Sequence, residues 1–142
     1  MNSPQQRRKS RRRALEFMFS IEFTNYEWEE AMPPFWETFD TKSAVREYAQ
    51  KLIKGVQFNL EDLDKHIDGA LTNWTPERVG KIERNILRVA IYEIAYTDDV
   101  PLKVAMNEAI EIAKAYGTGD SAGFVNGVLD RLKSTLFSNI DK

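Results

Sequence analysis

The chain has no cysteine and one histidine in 142 residues. Without cysteine it forms no disulfide, offers no thiolate nucleophile and builds no cysteine-ligated zinc or iron–sulfur site. With His66 alone there is no histidine metal cluster, and no Ser-His-Asp arrangement suggests itself without a nucleophile motif. Glu108 and Glu111 stand three apart on one helix face but lack the histidine that carboxylate metal sites in helical bundles use. Gly117-Thr118-Gly119 lacks the Lys-Ser/Thr of a phosphate-cradling loop. The sequence therefore reads as a non-enzyme that needs no metal or cofactor. No apolar run reaches the length of about 18 residues that a membrane span needs. Glu16 and Glu22 interrupt Leu15–Phe23, which argues against a secretory signal, although the Arg-rich, amphipathic start shares its composition with organelle transit peptides. The absence of cysteine fits a reducing cytoplasm.

Charge of one sign is present, and it is concentrated. Six of the seven residues from Arg7 to Arg13 are basic: Arg7, Arg8, Lys9, Arg11, Arg12 and Arg13. The chain carries 20 Lys+Arg and 22 Asp+Glu, and the first acid is Glu16. Setting those six aside leaves 14 basic against all 22 acidic groups, a net of −8 for residues 14–142. A polyanion is drawn to one end and repelled by most of the rest.

The periodicity is helical almost throughout, and no run alternates with period two. Ser10 is a candidate cap for a first helix bearing Ala14, Leu15, Met18, Phe19 and Ile21, which leaves residues 1–13 as a basic arm. Cations at a helix N-terminus oppose its partial positive charge, so their placement there suggests a purpose other than helix stability. Pro33-Pro34 should stop a helix entering the aromatic segment. Thr41 reads as the next cap, before a stripe of Val45, Tyr48, Leu52, Ile53 and Val56. Leu60, Leu63, Ile67 and Leu71 continue it. Thr75-Pro76 reads as the start of the most hydrophobic helix, which carries Ile82, Ile86, Val89 and Ile94. Asp98–Pro101 ends that helix. The next spans about 102–116 and stops at Gly117, and a last one carries Phe124, Val125, Val128, Leu129 and Leu132. The expected fold is all-α, a compact single domain over residues 1–142 of about six or seven helices.

Two motifs in this frame resemble the NusB family of transcription antitermination factors. One is Glu83-Arg84-Asn85-Ile86-Leu87-Arg88-Val89-Ala90-Ile91-Tyr92-Glu93. The other runs from Val100-Pro101-Leu102-Lys103-Val104-Ala105-Met106-Asn107-Glu108-Ala109 through Tyr116-Gly117 to Ser121-Ala122-Gly123-Phe124-Val125-Asn126-Gly127-Val128-Leu129. Met106, Leu102 and the aromatic segment Tyr26–Phe39 depart from the usual pattern. The resemblance implies a fold of two packed helical bundles. It also implies partners: single-stranded boxA RNA, the ribosomal protein NusE, and the elongation complex of RNA polymerase with the other Nus factors. Two other readings stay open. The chain could be a self-associating helical module whose basic arm is hidden in a dimer, since the resemblance implies that some members dimerise, which would cover the RNA surface. It could instead be the RNA-binding part of a ribosomal RNA cytosine methyltransferase, whose catalytic cysteine and glycine-rich cofactor site it lacks.

Single-stranded RNA needs cations for phosphates and flat groups for bases. The stretch Arg7–Arg13 supplies the first; its alternative is a solvated tail. By resemblance, Phe124 stacks a base and Asp120 accepts from a base edge; their alternatives are core and ordinary helix cap. Lys103 is a further candidate cation, or a plain surface lysine. Glu83 is implied to face the basic ribosomal protein; its alternative is a solvated helix acid. Asn107 and Glu108 are expected to tie helices together, and Asn126-Gly127 to allow a close approach of backbones.

Overall fold

A computed structural model describes residues 3–24, 26–39 and 41–138. The described residues form seven α-helices and one three-residue 3-10 turn, with no strand. The helices are α1 (Pro4–Ile21), α2 (Trp28–Thr38), α3 (Ser43–Phe58), α4 (Leu60–Gly69), α5 (Lys81–Ala95), α6 (Leu102–Tyr116) and α7 (Ser121–Lys133). The chain, expected as one domain, divides into two compact units, Met1–Phe58 and Asn59–Lys142.

In the first unit α1 lies along α3, and α2 leans on α1. The core is aliphatic and aromatic: Ala14, Leu15, Phe17 and Met18 from α1 meet Tyr48, Ala49, Leu52 and Ile53 from α3. Phe17 and Phe35 meet edge to face at 5.2 Å, which ties α2 in. Each fully buried large side chain here stabilises by about 1.5–3 kcal/mol.

The first helix starts earlier than expected. Ser3, not Ser10, is its cap: the Ser3 hydroxyl accepts from the Gln6 N–H while the Gln6 side chain accepts from the Ser3 N–H. Ser10 is buried and donates to the Val45 carbonyl at 2.7 Å, which locks α1 to α3. Residues 4–13 of the expected arm are therefore helical, and Met1 and Asn2 lie outside the described residues. The first turn, Pro4-Gln5-Gln6, is uncharged, so the basic row begins past the positive pole of the helix.

Pro33 and Pro34 do not stop α2; both lie inside it. Each removes one helix hydrogen bond, but Met32, Phe35 and Trp36 around them are buried, and that packing outweighs the loss. Thr41 does not cap α3; its hydroxyl donates back to the Phe39 carbonyl at 2.6 Å.

In the second unit α5 is the central helix, touched by α4, α6 and α7. Residues 85–91 are buried all round it. Thr75-Pro76 opens only the 3-10 turn Pro76–Arg78; Val79 is extended and Gly80 caps α5 instead. The polar members of the first motif are structural. Arg88 grips Asp64 with two hydrogen bonds of 2.8 Å and donates to buried Asn85 at 2.8 Å. Arg84 reaches Asp68 at 2.9 Å and Asp64 at 3.3 Å. This fork geometry joins α4 to α5 where Lys would make a single contact. Glu108 is buried, but Asn107 is exposed, and among the described residues its side chain forms no hydrogen bond. A Cβ at Gly127 would meet only the Arg131 guanidinium of its own helix, at 3.4 Å, and no backbone of another helix lies within 4 Å of that point.

Candidate nucleic-acid interface

The first candidate surface is the basic row of α1. Helical spacing spreads six cations around the helix, and packing then sorts them. Arg11 faces inward and is 4% exposed, so it cannot meet a strand. Arg8 and Lys9 are exposed; Arg7, Arg12 and Arg13 are half-buried. Aromatic rings hold two of them: the Arg7 guanidinium lies 4.1 Å from the Tyr48 ring centre and that of Arg13 lies 5.2 Å from Phe39. Arg13 also pairs with Glu16 at 2.9 Å. Lys51 of α3 stands 5.8 Å from the Tyr48 ring and adds a cation beside this row. Its lone position in sequence gave no signal.

The second candidate surface, in the other unit, is the corner between α6 and α7. Gly117 ends α6 in an extended conformation, with φ −94°. A Cβ there would strike the Ser121 hydroxyl and lie 2.9 Å from the Ala113 carbonyl, so glycine is required for space rather than for a left-handed turn. The freed room lets Ser121 accept from the Thr118 N–H at 2.9 Å and donate to Glu83. Glu83 in turn curls over Gly80, where a Cβ would collide with its carboxylate. Glu83 is thus half-buried and brought together with the α7 corner, not set on a separate face.

These contacts frame a pocket of about 220 Å³. Trp74, Arg78, Glu83, Thr118, Asp120 and Phe124 line it. Phe124 is half-buried and meets Trp74 edge to face at 6.1 Å; Trp74 is 49% exposed. The Arg78 guanidinium lies 5.7 Å from the Trp74 ring centre. Asp120 occupies the cap position of α7, but its carboxylate makes no cap hydrogen bond and is exposed. The pocket offers flat faces, a guanidinium and an acceptor oxygen, which suits one planar heterocycle with an N–H edge better than a phosphate. Trp74 and Arg78 were not anticipated. The available signal was a tryptophan among polar loop residues, outside any apolar stripe.

Lys103 is exposed in the first turn of α6. At 1.5 Å per residue, it stands about 20 Å along that helix from the α7 corner. The structure therefore does not bring Lys103 to the pocket.

A cation row on one helix and an aromatic–carboxylate pocket at a helix corner define an all-helical binding protein with surfaces suited to a single-stranded nucleic acid. The model of the NusB family matches residues 8–134. The Transcription antitermination protein NusB of Anaeromyxobacter sp. (strain Fw109-5) is 41% identical over 131 residues, covering 92% of this chain and 91% of that one. The protein of the same name from Clostridium novyi (strain NT) is 42% identical over 128 residues, covering 89% and 96%. A solved T. maritima NusB superposes with a TM-score of 0.81 at 36% identity over 95% of this chain and 94% of that one. A solved complex of antitermination factors NusB and NusE with dsRNA gives a TM-score of 0.80 over 92% and 97%; at 24% identity that likeness shows the fold alone. The chain belongs to the NusB family.

Proposed function

We propose that the chain is a non-enzymatic, RNA-binding transcription antitermination factor that works with NusE. Family membership carries this reading: the curated relatives are named for antitermination, and a fold neighbour was solved with NusE and RNA. Within it, Arg7, Arg8, Lys9, Arg12 and Arg13 hold phosphates, and Phe124 with Trp74 stacks a base of a boxA-type single strand. Asp120 accepts from that base's edge. Lys103 can add only a phosphate contact away from the pocket. Glu83, with one carboxylate oxygen held by Ser121, offers its other oxygen to the basic ribosomal protein. The site of action is the cytoplasm, where nascent ribosomal transcripts and RNA polymerase are found. No helix among the described residues is long and apolar enough to cross a membrane.

Fluorescence anisotropy on a labelled boxA-type single strand tests this, with and without NusE. NusE should tighten binding. Phe124→Ala and Trp74→Ala should each weaken it by about 1–2 kcal/mol, roughly 5- to 30-fold, while helical circular dichroism stays unchanged. Wild-type affinity from both variants would remove the corner from the mechanism.

A further inference from the structure

The first unit holds a groove of about 700 Å³ between α2 and α3 that the RNA reading leaves unused. Its floor is Met32 and Trp36, both buried. One end is aromatic: Trp28 meets Phe58 edge to face at 5.5 Å, and Phe58 is 74% exposed. That contact sets the start of α2 beside the end of α3, so the two helices run antiparallel as walls. From Arg46 to Phe58 the α3 wall extends about 18 Å, a little over three helical turns.

The walls carry opposite charge in matched register. On α2, Glu29 and Glu37 line the groove eight residues apart. On α3, Arg46 and Lys54 line it, also eight apart, with Gln50 between. Among the described residues neither glutamate forms an ion pair, and Lys54 has no carboxylate partner. Each row therefore repeats every two turns, about 12 Å. Two acids on one wall disfavour a polyanion, so this is not a second RNA track.

We propose that the groove seats an amphipathic helix of a partner protein. Its apolar stripe would enter between Trp28, Trp36 and Phe58. Bases on one flank would face Glu29 and Glu37, and acids on the other would face Arg46 and Lys54, each pair two turns apart. Apolar anchors in the groove supply affinity, and flanking charges set orientation and exclude wrong partners.

The probe is a 14-residue, lactam-constrained helical peptide with leucines at i, i+4 and i+7, two lysines on one flank and two glutamates on the other. A second peptide has both lysines at one end and both glutamates at the other, one of each on either flank, so that neither direction of binding matches both walls. Both are titrated into the full chain, and tryptophan emission is read, since Trp28 and Trp36 line the groove. The first peptide should bind saturably, and the second about tenfold more weakly. The double variant Glu37→Lys with Lys54→Glu puts one sign of charge at each end of the groove and should make the second peptide the tighter binder; both side chains are exposed, so the fold is kept. Equal binding of the two peptides, or no binding, overturns the proposal. So does displacement of the peptide by single-stranded RNA. So does a dimer in light scattering that Phe58→Ser abolishes, because the groove would then be covered by a second copy.

Discussion

The sharpest consequence of the sorted cations on α1 is a salt dependence. Arg11 is sealed in the core. The other five cations of the row give a single strand about four phosphate contacts. Each contributes about −0.7 to the slope of log K against log salt, so the slope should be about −3. Affinity should fall roughly 50-fold between about 50 and 200 mM salt. Replacing exposed Arg8 and Lys9 with glutamine removes two contacts at a cost in stability within about 0.5 kcal/mol. The slope should drop to about −1.4, and the same salt step should cost only about sevenfold. Arg11→Gln should leave the slope alone and lower the unfolding midpoint instead. The assay is anisotropy of a labelled single strand across a salt series, with denaturant unfolding run on each variant. Deleting residues 1–13 is the wrong perturbation, because it would remove half of α1 and the Ser10–Val45 bond. An unchanged slope in the Arg8→Gln, Lys9→Gln protein would refute the reasoning.

Other outcomes follow from the packing. Gly117→Ala should destabilise by about 1–3 kcal/mol in urea unfolding, since the new methyl meets the Ala113 carbonyl and Ser121; it should also weaken RNA binding by displacing the α7 corner. Arg88→Ala takes two hydrogen bonds from Asp64, whose side chain is 30% exposed and keeps only the 3.3 Å contact with Arg84, and it removes the bond to buried Asn85. The expected cost is about 2–3 kcal/mol, below that of a fully sealed pair. Tyr92 and Tyr96 stack at 5.9 Å, and burial first, then Asp99 and Asp62 respectively, raises both phenols above 10.0. The folded chain holds these protons more tightly than the unfolded chain, so their contribution is complete below pH 10.0 and is lost as pH climbs through the raised values. Absorbance at about 295 nm should show delayed ionisation, and Tyr96→Phe should soften the alkaline fall in stability; ionisation at the ordinary phenol pH would contradict this.

Much of the fold was legible because burial imposes a period. The stripes at Leu52–Val56, Ile86–Ile94 and Val125–Leu132 each became a buried helix face. Phe124 and Asp120, singled out through the motif resemblance, line one pocket at the α7 corner. Boundaries were less legible. Ser10, Thr41 and Thr75 all have cap chemistry, yet none caps an α-helix, because a hydroxyl next to an apolar stripe can equally bond a neighbouring carbonyl. Pro33-Pro34 misled for a related reason: local cost is read from sequence, but the compensating burial of Phe35 and Trp36 is not.

The sequence by itself determined an all-helical chain, its family, and the clustering of positive charge at one end. Residue type and spacing carry those, and they survive without coordinates. Only the tertiary structure decided which cations stay in water and which one is buried. It also set Trp74 beside Phe124, curled Glu83 onto Ser121, and opened a groove with oppositely charged walls. Each of these depends on which side chains far apart in sequence come within a few ångströms, and periodicity holds no record of that.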